Sequence, residues 1–315
     1  MRAKTASTVR IVEVDSEHAG RRLDNFLGAH LKGVPRTLIH RLCRKGQVRV
    51  NGGRAKGDRR LEAGDKVRIP PVQVRVDGDS PAPSPGAVER LRDRVVHEDD
   101  DLLVIDKPSG MAVHGGSGVR VGVIETLRHM RPDARFLELV HRLDRDTSGL
   151  LMIAKRRPML THLHEALRDG VIRKEYLALV QGVPPKRGLV VNAPLRKNTL
   201  KGGERVVRVD SSGKAAVSRF HLRENLGDCA LVQVALDTGR THQIRVHSAH
   251  SGHPLAGDGK YGDEAFNRAM QARGLKRLFL HAWRLNLPLR DGANLRLECA
   301  LDAELRSVLD ALKAR

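Results

Sequence analysis

Aromatic residues are nearly missing from this chain, at 3% of 315 residues with one tryptophan and two tyrosines. Leucine, valine, isoleucine and alanine must therefore fill its core. Cysteine is as scarce: Cys43, Cys229 and Cys299 lie far apart, with no CxxC pair. That spacing excludes a disulfide framework and a cysteine-ligated metal, and leaves each thiol to pack as a small apolar group in a reduced, cytosolic protein. No apolar run approaches the roughly 20 residues a membrane-spanning helix needs, and residues 1–14 lack the apolar stretch of a secretory signal. Acidic residues are also short, with 37 against 57 Lys and Arg, a formal charge of +20. Such a surplus favours a polyanionic partner. Without a Lys-rich amphipathic terminus or a lipidation motif, a membrane surface gives way to nucleic acid. What is present in quantity, 40% hydrophobic residues, suffices for a large core and two domains.

Half of the charge surplus sits in one-sixth of the chain. Residues 21–69 hold 14 Lys and Arg against 4 Asp and Glu, too one-sided for an ordinary solvated face. The segment predicts a helix over 22–30 and a second helix opened by Pro35. The second carries Ile39, Leu42 and Cys43 inward and Arg36, Arg41, Arg44 and Lys45 toward solvent, until Gly46 ends it. A strand over 47–50 enters a tight hairpin turn at Asn51-Gly52, and 67–69 returns as a further strand. Phe26 is the module's sole aromatic, which favours backbone or shape recognition of folded RNA over base stacking. Arg22-Leu23-Asp24, the helix through Arg36 and Arg41, and the run Arg44-Lys45-Gly46-Gln47-Val48-Arg49-Val50-Asn51-Gly52 resemble an S4 RNA-binding domain.

Gly78-Asp79-Ser80-Pro81-Ala82-Pro83-Ser84-Pro85-Gly86 has the composition of a flexible, partly extended linker. The expected order is a tail over 1–17, the basic module over 18–75, a linker over 76–88 and a catalytic domain over 89–315. In that last part, strands are expected at 102–105, 176–180, 217–220, 231–236 and 295–299, and helices at 160–167 and 303–312. The pattern predicts an α+β domain built on a large, mainly antiparallel sheet.

Four polar segments interrupt it. Lys107-Pro108-Ser109-Gly110, with His114-Gly115-Gly116-Ser117-Gly118 beyond, follows a strand but lacks the ending of a P-loop. His141-Arg142-Leu143-Asp144-Arg145-Asp146-Thr147-Ser148-Gly149 packs two carboxylates between apolar runs at 136–140 and 150–154 that read as buried strands. Asp146 to Gly149 suit a turn in which side chains bond back to the backbone and Gly149 takes a positive φ; Asp144 is left unexplained. Tyr176 lies in the third, the strand Lys174-Glu175-Tyr176-Leu177-Ala178, where a satisfied core tyrosine is the plainer reading. The fourth, Thr238-Gly239-Arg240-Thr241-His242-Gln243-Ile244-Arg245-Val246-His247, runs from a strand end into a helix. Its histidines invite a metal reading, but Arg240 and Arg245 oppose a dication and no carboxylate lies in the run. Structural or RNA-facing histidines are expected instead.

These segments, in this order, resemble the RluA family of pseudouridine synthases, and with the S4 module in front the resemblance covers essentially the whole chain. The flanks Gly33-Val34-Pro35, Val113-His114-Gly115-Gly116-Ser117-Gly118 and Arg135-Phe136-Leu137-Glu138-Leu139-Val140 extend it to a subclass acting on 23S ribosomal RNA. The resemblance implies that Asp144 is the catalytic carboxylate, acting on the ribose as nucleophile or base, with Arg245 as the cation holding it ionised and oriented. It implies that Tyr176 packs on the uracil near C5 and that Arg142 fills the space the flipped base vacates. His141, Lys107 and Arg240 are expected at the RNA, together with Arg36, Arg41, Arg44 and Lys45. No cofactor or metal is required. The implied partner is 23S rRNA or a large-subunit assembly intermediate, with the chain acting as a monomer. Two rivals remain: an rRNA-binding assembly factor without catalysis, and a hydrolase pairing Asp144 with Asp146 as acid and base.

Overall fold

In a computed structural model, described at residues 8–16, 18–31, 34, 36–72, 82–115, 119, 121–199 and 205–314, the chain divides into two compact units, Met1–Ser80 and Pro81–Arg315. The first contains β1 (Arg10–Glu13), α1 (Leu23–His30), α2 (Arg36–Arg44), β2 (Arg49–Val50), β3 (Gly53–Arg54) and β4 (Lys66–Ile69). The strands form one sheet in the order β1-β4-β2-β3. Leu23, Phe26 and Leu27 of α1 meet Ile39 and Leu42 of α2 over Val48, Val67 and Ile69. The hairpin turn expected at Asn51-Gly52 is present, both residues taking positive φ. Asn51 ties it down by donating to Asp65 Oδ1 at 2.6 Å and accepting from the Lys66 N–H at 2.8 Å. Gly33, Pro35 and the linker residues 73–81 lie outside the described residues.

The second unit opens with α3 (Pro85–Leu91), so the expected linker ends early. Ser84 caps that helix by accepting from the Ala87 N–H at 3.2 Å, and Pro85 supplies the fixed φ of its first turn. There follow β5 (Val95–Glu98), β6 (Leu102–Lys107), α4 (Val123–Met130), β7 (Glu138–Leu139), β8 (Ser148–Ala154), α5 (Arg157–Arg168) and β9 (Arg173–Gln181). The chain continues through β10 (Leu189–Asn192), β11 (Leu195–Thr199), β12 (Arg205–Val209), β13 (Val217–Asn225) and β14 (Cys229–Leu236). It closes with α6 (Gln243–His250), α7 (Glu264–Gln271), β15 (Leu280–Pro288), β16 (Asn294–Glu298) and α8 (Ala303–Lys313).

Ten of these strands form one sheet. Its path is β10-β13-β14-β9-β15-β8-β6-β5, with β16 beside β15 and β7 beside β8. Every pair is antiparallel except β15 with β8, so the expected α+β architecture with a large, mainly antiparallel sheet is the observed one. The run expected as a strand over 136–140 pairs only at Glu138 and Leu139. Alternation along β9 divides the core. Tyr176, Ala178 and Val180 pack with Val232, Val234 and Ile244 on one face, while Leu177 and Leu179 meet Phe279, Trp283 and α8 on the other.

Candidate active site

The site is built where β8 enters the sheet. Ser148 and Gly149 lie opposite His281 and Ala282 of β15, and Ala282 lies opposite Tyr176 of β9. Gly149, Ala282 and Tyr176 thus form one row across three strands, which brings the polar loop before β8 to the tyrosine. Gly149 has φ +102°, and a Cβ there would stand 2.3 Å from the Ala282 carbonyl oxygen, so only glycine permits this approach. The loop closes through the Thr147 N–H, which donates to the Asp144 carbonyl at 3.2 Å. Ser148, expected to bond back within the turn, is instead the first residue of β8. Its Oγ donates to His281 Nδ1 at 2.9 Å, the tautomer fixed by His281 Nε2 donating to the Cys299 carbonyl.

Two residues expected at the RNA serve the loop itself. Lys107 is fully buried, and its Nζ donates to the carbonyls of Pro108, Met111 and Arg145 at 2.8 to 2.9 Å. Burial pushes its pKa down to about 7, against the pull of Asp146. An ammonium spent on three backbone carbonyls braces the residue next to Asp144 and leaves no donor for a phosphate. Ser109 adds a second brace, donating to the Asp146 carbonyl at 2.7 Å. His141 accepts the Met152 N–H of β8 at Nε2, 3.1 Å away. Burial, with the nearby Lys174 charge, pushes its pKa down to about 3, so the ring is a neutral pin.

Asp144 opens into a cleft of about 1000 Å³ that Arg142, Lys174, Tyr176, Arg240 and His242 also line. Its side chain is 22% exposed, and Arg245 Nη1 donates to its Oδ2 at 3.4 Å. Arg245 stands in the first turn of α6, a helix whose start is locked by Gln243: its Oε1 accepts from Thr238 Oγ1 and the Arg240 N–H, and its Nε2 donates to the Val217 carbonyl. The Arg245 fork is committed elsewhere, Nε and Nη2 each donating to Asp258 at 2.8 Å. Burial pushes the Asp258 carboxyl up, but Arg245 and the N–H groups of Lys260 and Tyr261 outweigh it and hold it below the ordinary range. Tyr176 is buried, and burial and the Asp144 charge raise its hydroxyl pKa well above the usual value.

Asp258, Tyr261 and the cleft position of His242 were not singled out in the sequence. His242 has a left-handed backbone (φ +53°), and its Nε2 stands 3.9 Å from Asp144 Oδ1. Its Nδ1 is hydrogen-bonded to the Tyr261 hydroxyl at 2.8 Å, which in turn accepts the Val207 N–H at 2.9 Å. Tyr261 also lies under the Arg245 guanidinium, 5.0 Å from ring centre to Cζ. The signal that could have found them is Gly257-Asp258-Gly259-Lys260-Tyr261-Gly262, a polar glycine-rich run directly after an apolar pair. A Cβ at Gly257, φ +72°, would stand 2.0 Å from the Arg277 carbonyl oxygen, so the chain must be glycine there to reach the site.

The remaining residues separate by exposure. Arg142 and Arg240 are exposed on the cleft; Arg240 Nε donates to the Ala215 carbonyl at 3.1 Å. In the first unit Arg41 and Arg44 are exposed on α2 and Lys45 just beyond it, while the side chain of Arg36 lies outside the described residues. Asp146 pairs with Arg145 at 3.1 Å and does not line the cleft, which removes the second carboxylate from the hydrolase reading. His247 is fully buried, donating from Nε2 to the Ala193 carbonyl and accepting from Ser218 at Nδ1, a structural histidine as expected.

Residues 101–250 match the RNA pseudouridylate synthase family and residues 21–67 match the S4 domain. The ribosomal large subunit pseudouridine synthase C of Haemophilus influenzae is 50% identical over 310 residues, covering 98% of this chain and 96% of that protein. The enzyme of the same name from Escherichia coli K12 is 50% identical over 317 residues, 99% of each chain. Among solved structures, human RNA pseudouridylate synthase domain containing 4 superimposes with a TM-score of 0.60 at 28% identity, covering 72% of this chain and 95% of that one. With this identity running through both units, the chain belongs to the RluA family of pseudouridine synthases.

Proposed function

We propose that this protein isomerises uridines of large-subunit, 23S ribosomal RNA to pseudouridine in the cytoplasm, with Asp144 as the carboxylate that acts on the ribose and with no cofactor. The observation that carries the reading is the position of Asp144 in the cleft, held on one side by Arg245 and beside Tyr176. The reaction breaks the bond from ribose C1′ to N1, turns the uracil and joins C1′ to C5, so no atom is gained or lost. C1′ becomes electron-deficient on the way, and a fixed carboxylate answers that by attacking it or by taking a neighbouring sugar proton. Arg245 supports the carboxylate's orientation, the Tyr176 ring offers the uracil a flat apolar surface, and the proton on C5 leaves in the last step. The target base leaves its stack to enter the cleft, and Arg142 stands at the rim to occupy the vacated space. The domain order serving this reaction is an RNA-binding module over 18–75 ahead of a catalytic domain over 89–315.

Tritium release from RNA carrying 5-tritiated uridine tests the reading, since the C5 hydrogen must be lost. Release from transcribed 23S rRNA or from precursor particles is expected, and its absence from both removes the enzyme. The basic first unit supports equally a second reading, an assembly factor that only binds rRNA, and Asp144→Asn separates the two. The synthase loses turnover and keeps RNA affinity, while a binder is indifferent to the change.

A further inference from the structure

Lys174 is a half-buried charge lining this cleft that the reaction as drawn does not use. It stands two residues before Tyr176 on β9, so both side chains leave the same face of the strand, about 7 Å apart along it, and both line the cleft. Its ammonium makes no ion pair and no hydrogen bond among the described residues. Its neighbours explain why. His141 is committed to the β8 backbone and neutral, and Gly239, close enough that a Cβ there would touch Nζ at 3.4 Å, has no side chain to offer. Burial lowers the Lys174 pKa and no carboxylate offsets that. Lys107, the other buried lysine of this region, is instead satisfied by three carbonyls.

A half-buried ammonium without a partner destabilises the free protein, because desolvation is not compensated. A site that keeps such a group gains when an anion arrives. We propose that the Lys174 ammonium is a phosphate-binding point of the cleft, taking an oxygen of a phosphodiester that flanks the target uridine. This rests on the cleft being a uridine isomerase site. The base itself is a poor match for Lys174, since an uncharged uracil carbonyl leaves the ammonium's charge uncompensated. A phosphate both neutralises it and accepts its hydrogen bonds. With Tyr176 under the uracil, Asp144 at the ribose and Lys174 on the backbone, one face of β9 and the loop beside it grip all three parts of a nucleotide. Lys174 is then a substrate-positioning residue.

The test uses the full chain as wild type, Lys174→Met, Lys174→Gln and Lys174→Arg, with transcribed 23S rRNA carrying 5-tritiated uridine at several salt concentrations. In both neutral variants KM should rise about tenfold with kcat within about threefold. The slope of log KM against log salt should fall by about one, the signature of one lost phosphate contact. Lys174→Arg should restore most of the KM. Thermal unfolding gives a readout that a structural lysine would not: removing an uncompensated charge should raise Tm by a few degrees. An unchanged salt slope, a loss carried by kcat, or a fall in Tm in both neutral variants overturns the proposal. If the wild type releases no tritium, the uridine reading fails by itself, and the salt dependence of binding to the same transcript still decides whether Lys174 holds a phosphate.

Discussion

Arg245 and Asp258 form the closest ion pair of the active site, with both arms of the guanidinium at 2.8 Å from the carboxylate, while the proposed catalytic Asp144 receives a single contact at 3.4 Å. The fork fixes the arginine in place and leaves Nη1 to steer Asp144, which stays free to move toward a substrate. Asp258 is in this sense the foundation of the site. It is itself held by two N–H groups of its own loop and is almost inaccessible to water.

Asp258→Asn should therefore do more damage than its distance from the cleft suggests. The amide keeps the shape but offers one acceptor oxygen, so Arg245 loses half its fork and turns toward Asp144, closing it into a tight pair. We expect turnover to fall at least 100-fold with RNA affinity retained. Stability should also fall by about 3 kcal/mol, the scale for breaking a buried ion pair. Tritium release and urea unfolding measure the two effects, and a variant with wild-type turnover contradicts the foundation role.

Tyr176 offers a ring and a hydroxyl that separate by mutation. The hydroxyl makes no hydrogen bond among the described residues, and its raised pKa keeps its proton on at any working pH. In the proposed reaction it is thus a donor available to the substrate, and it does not serve as a base near neutrality. Tyr176→Phe should keep KM within about threefold and lower kcat at least tenfold, whereas Tyr176→Ala should lose both. A Tyr176→Phe enzyme with unchanged kcat would assign the residue to packing alone.

The loop around Asp144 was readable in the sequence because its chemistry is local. Two apolar runs bracket a polar insert, and a glycine stands where the strand begins. The S4 helices, the Asn51-Gly52 turn and the central strands were readable for the same reason, since alternation and turn residues act over a few positions. What lay beyond reach was fixed by distant pairing. Lys107 carries no mark in the sequence of its three carbonyl acceptors, one of them 38 residues away, so it read as a loop lysine facing RNA. Asp258 acquires meaning only when β8 and β15 pair in parallel and bring Arg277 against Gly257. Strand β7 fell short of its apolar run: Glu138 and Leu139 pair in register with β8, and Val140 adds a single N–H bond to the Met152 carbonyl before the chain turns away.

The buried Lys107 should leave a signature in the pH dependence of stability. Its pKa falls from 10.5 in the unfolded chain to about 7 in the folded one. Between these values the unfolded chain binds the additional proton, so this group makes stability rise with pH across that window and costs most below it. Each unit of depression corresponds to about 1.4 kcal/mol. Lys107→Met lacks the titration, so the urea midpoint of the wild type relative to the variant should climb steadily from pH 7 to pH 10. A constant difference over that range would mean that the three carbonyls keep the ammonium charged throughout. Turnover of the variant should fall as well, since the Arg145 carbonyl that it releases adjoins Asp144.

Arg41, Arg44 and Lys45 lie exposed on the last turn of α2 and just beyond it, and their side chains make no ion pair among the described residues. A cluster of unpaired cations that supports no packing is available to RNA phosphates, and each contact releases counterions on binding. Replacing all three by alanine should leave Tm within about 2 °C, because exposed charges without partners contribute little to folding. The slope of log affinity against log salt for 23S rRNA should drop by about two to three, roughly one per lost contact. Affinity at low salt should suffer most, while kcat at saturating RNA stays at the wild-type value, because Asp144, Tyr176 and Arg245 all belong to the other unit. A triple variant that keeps its salt slope would move the RNA-binding surface of the first unit off this helix, and one that loses kcat would show that the module aligns the substrate for the chemical step as well as holding it.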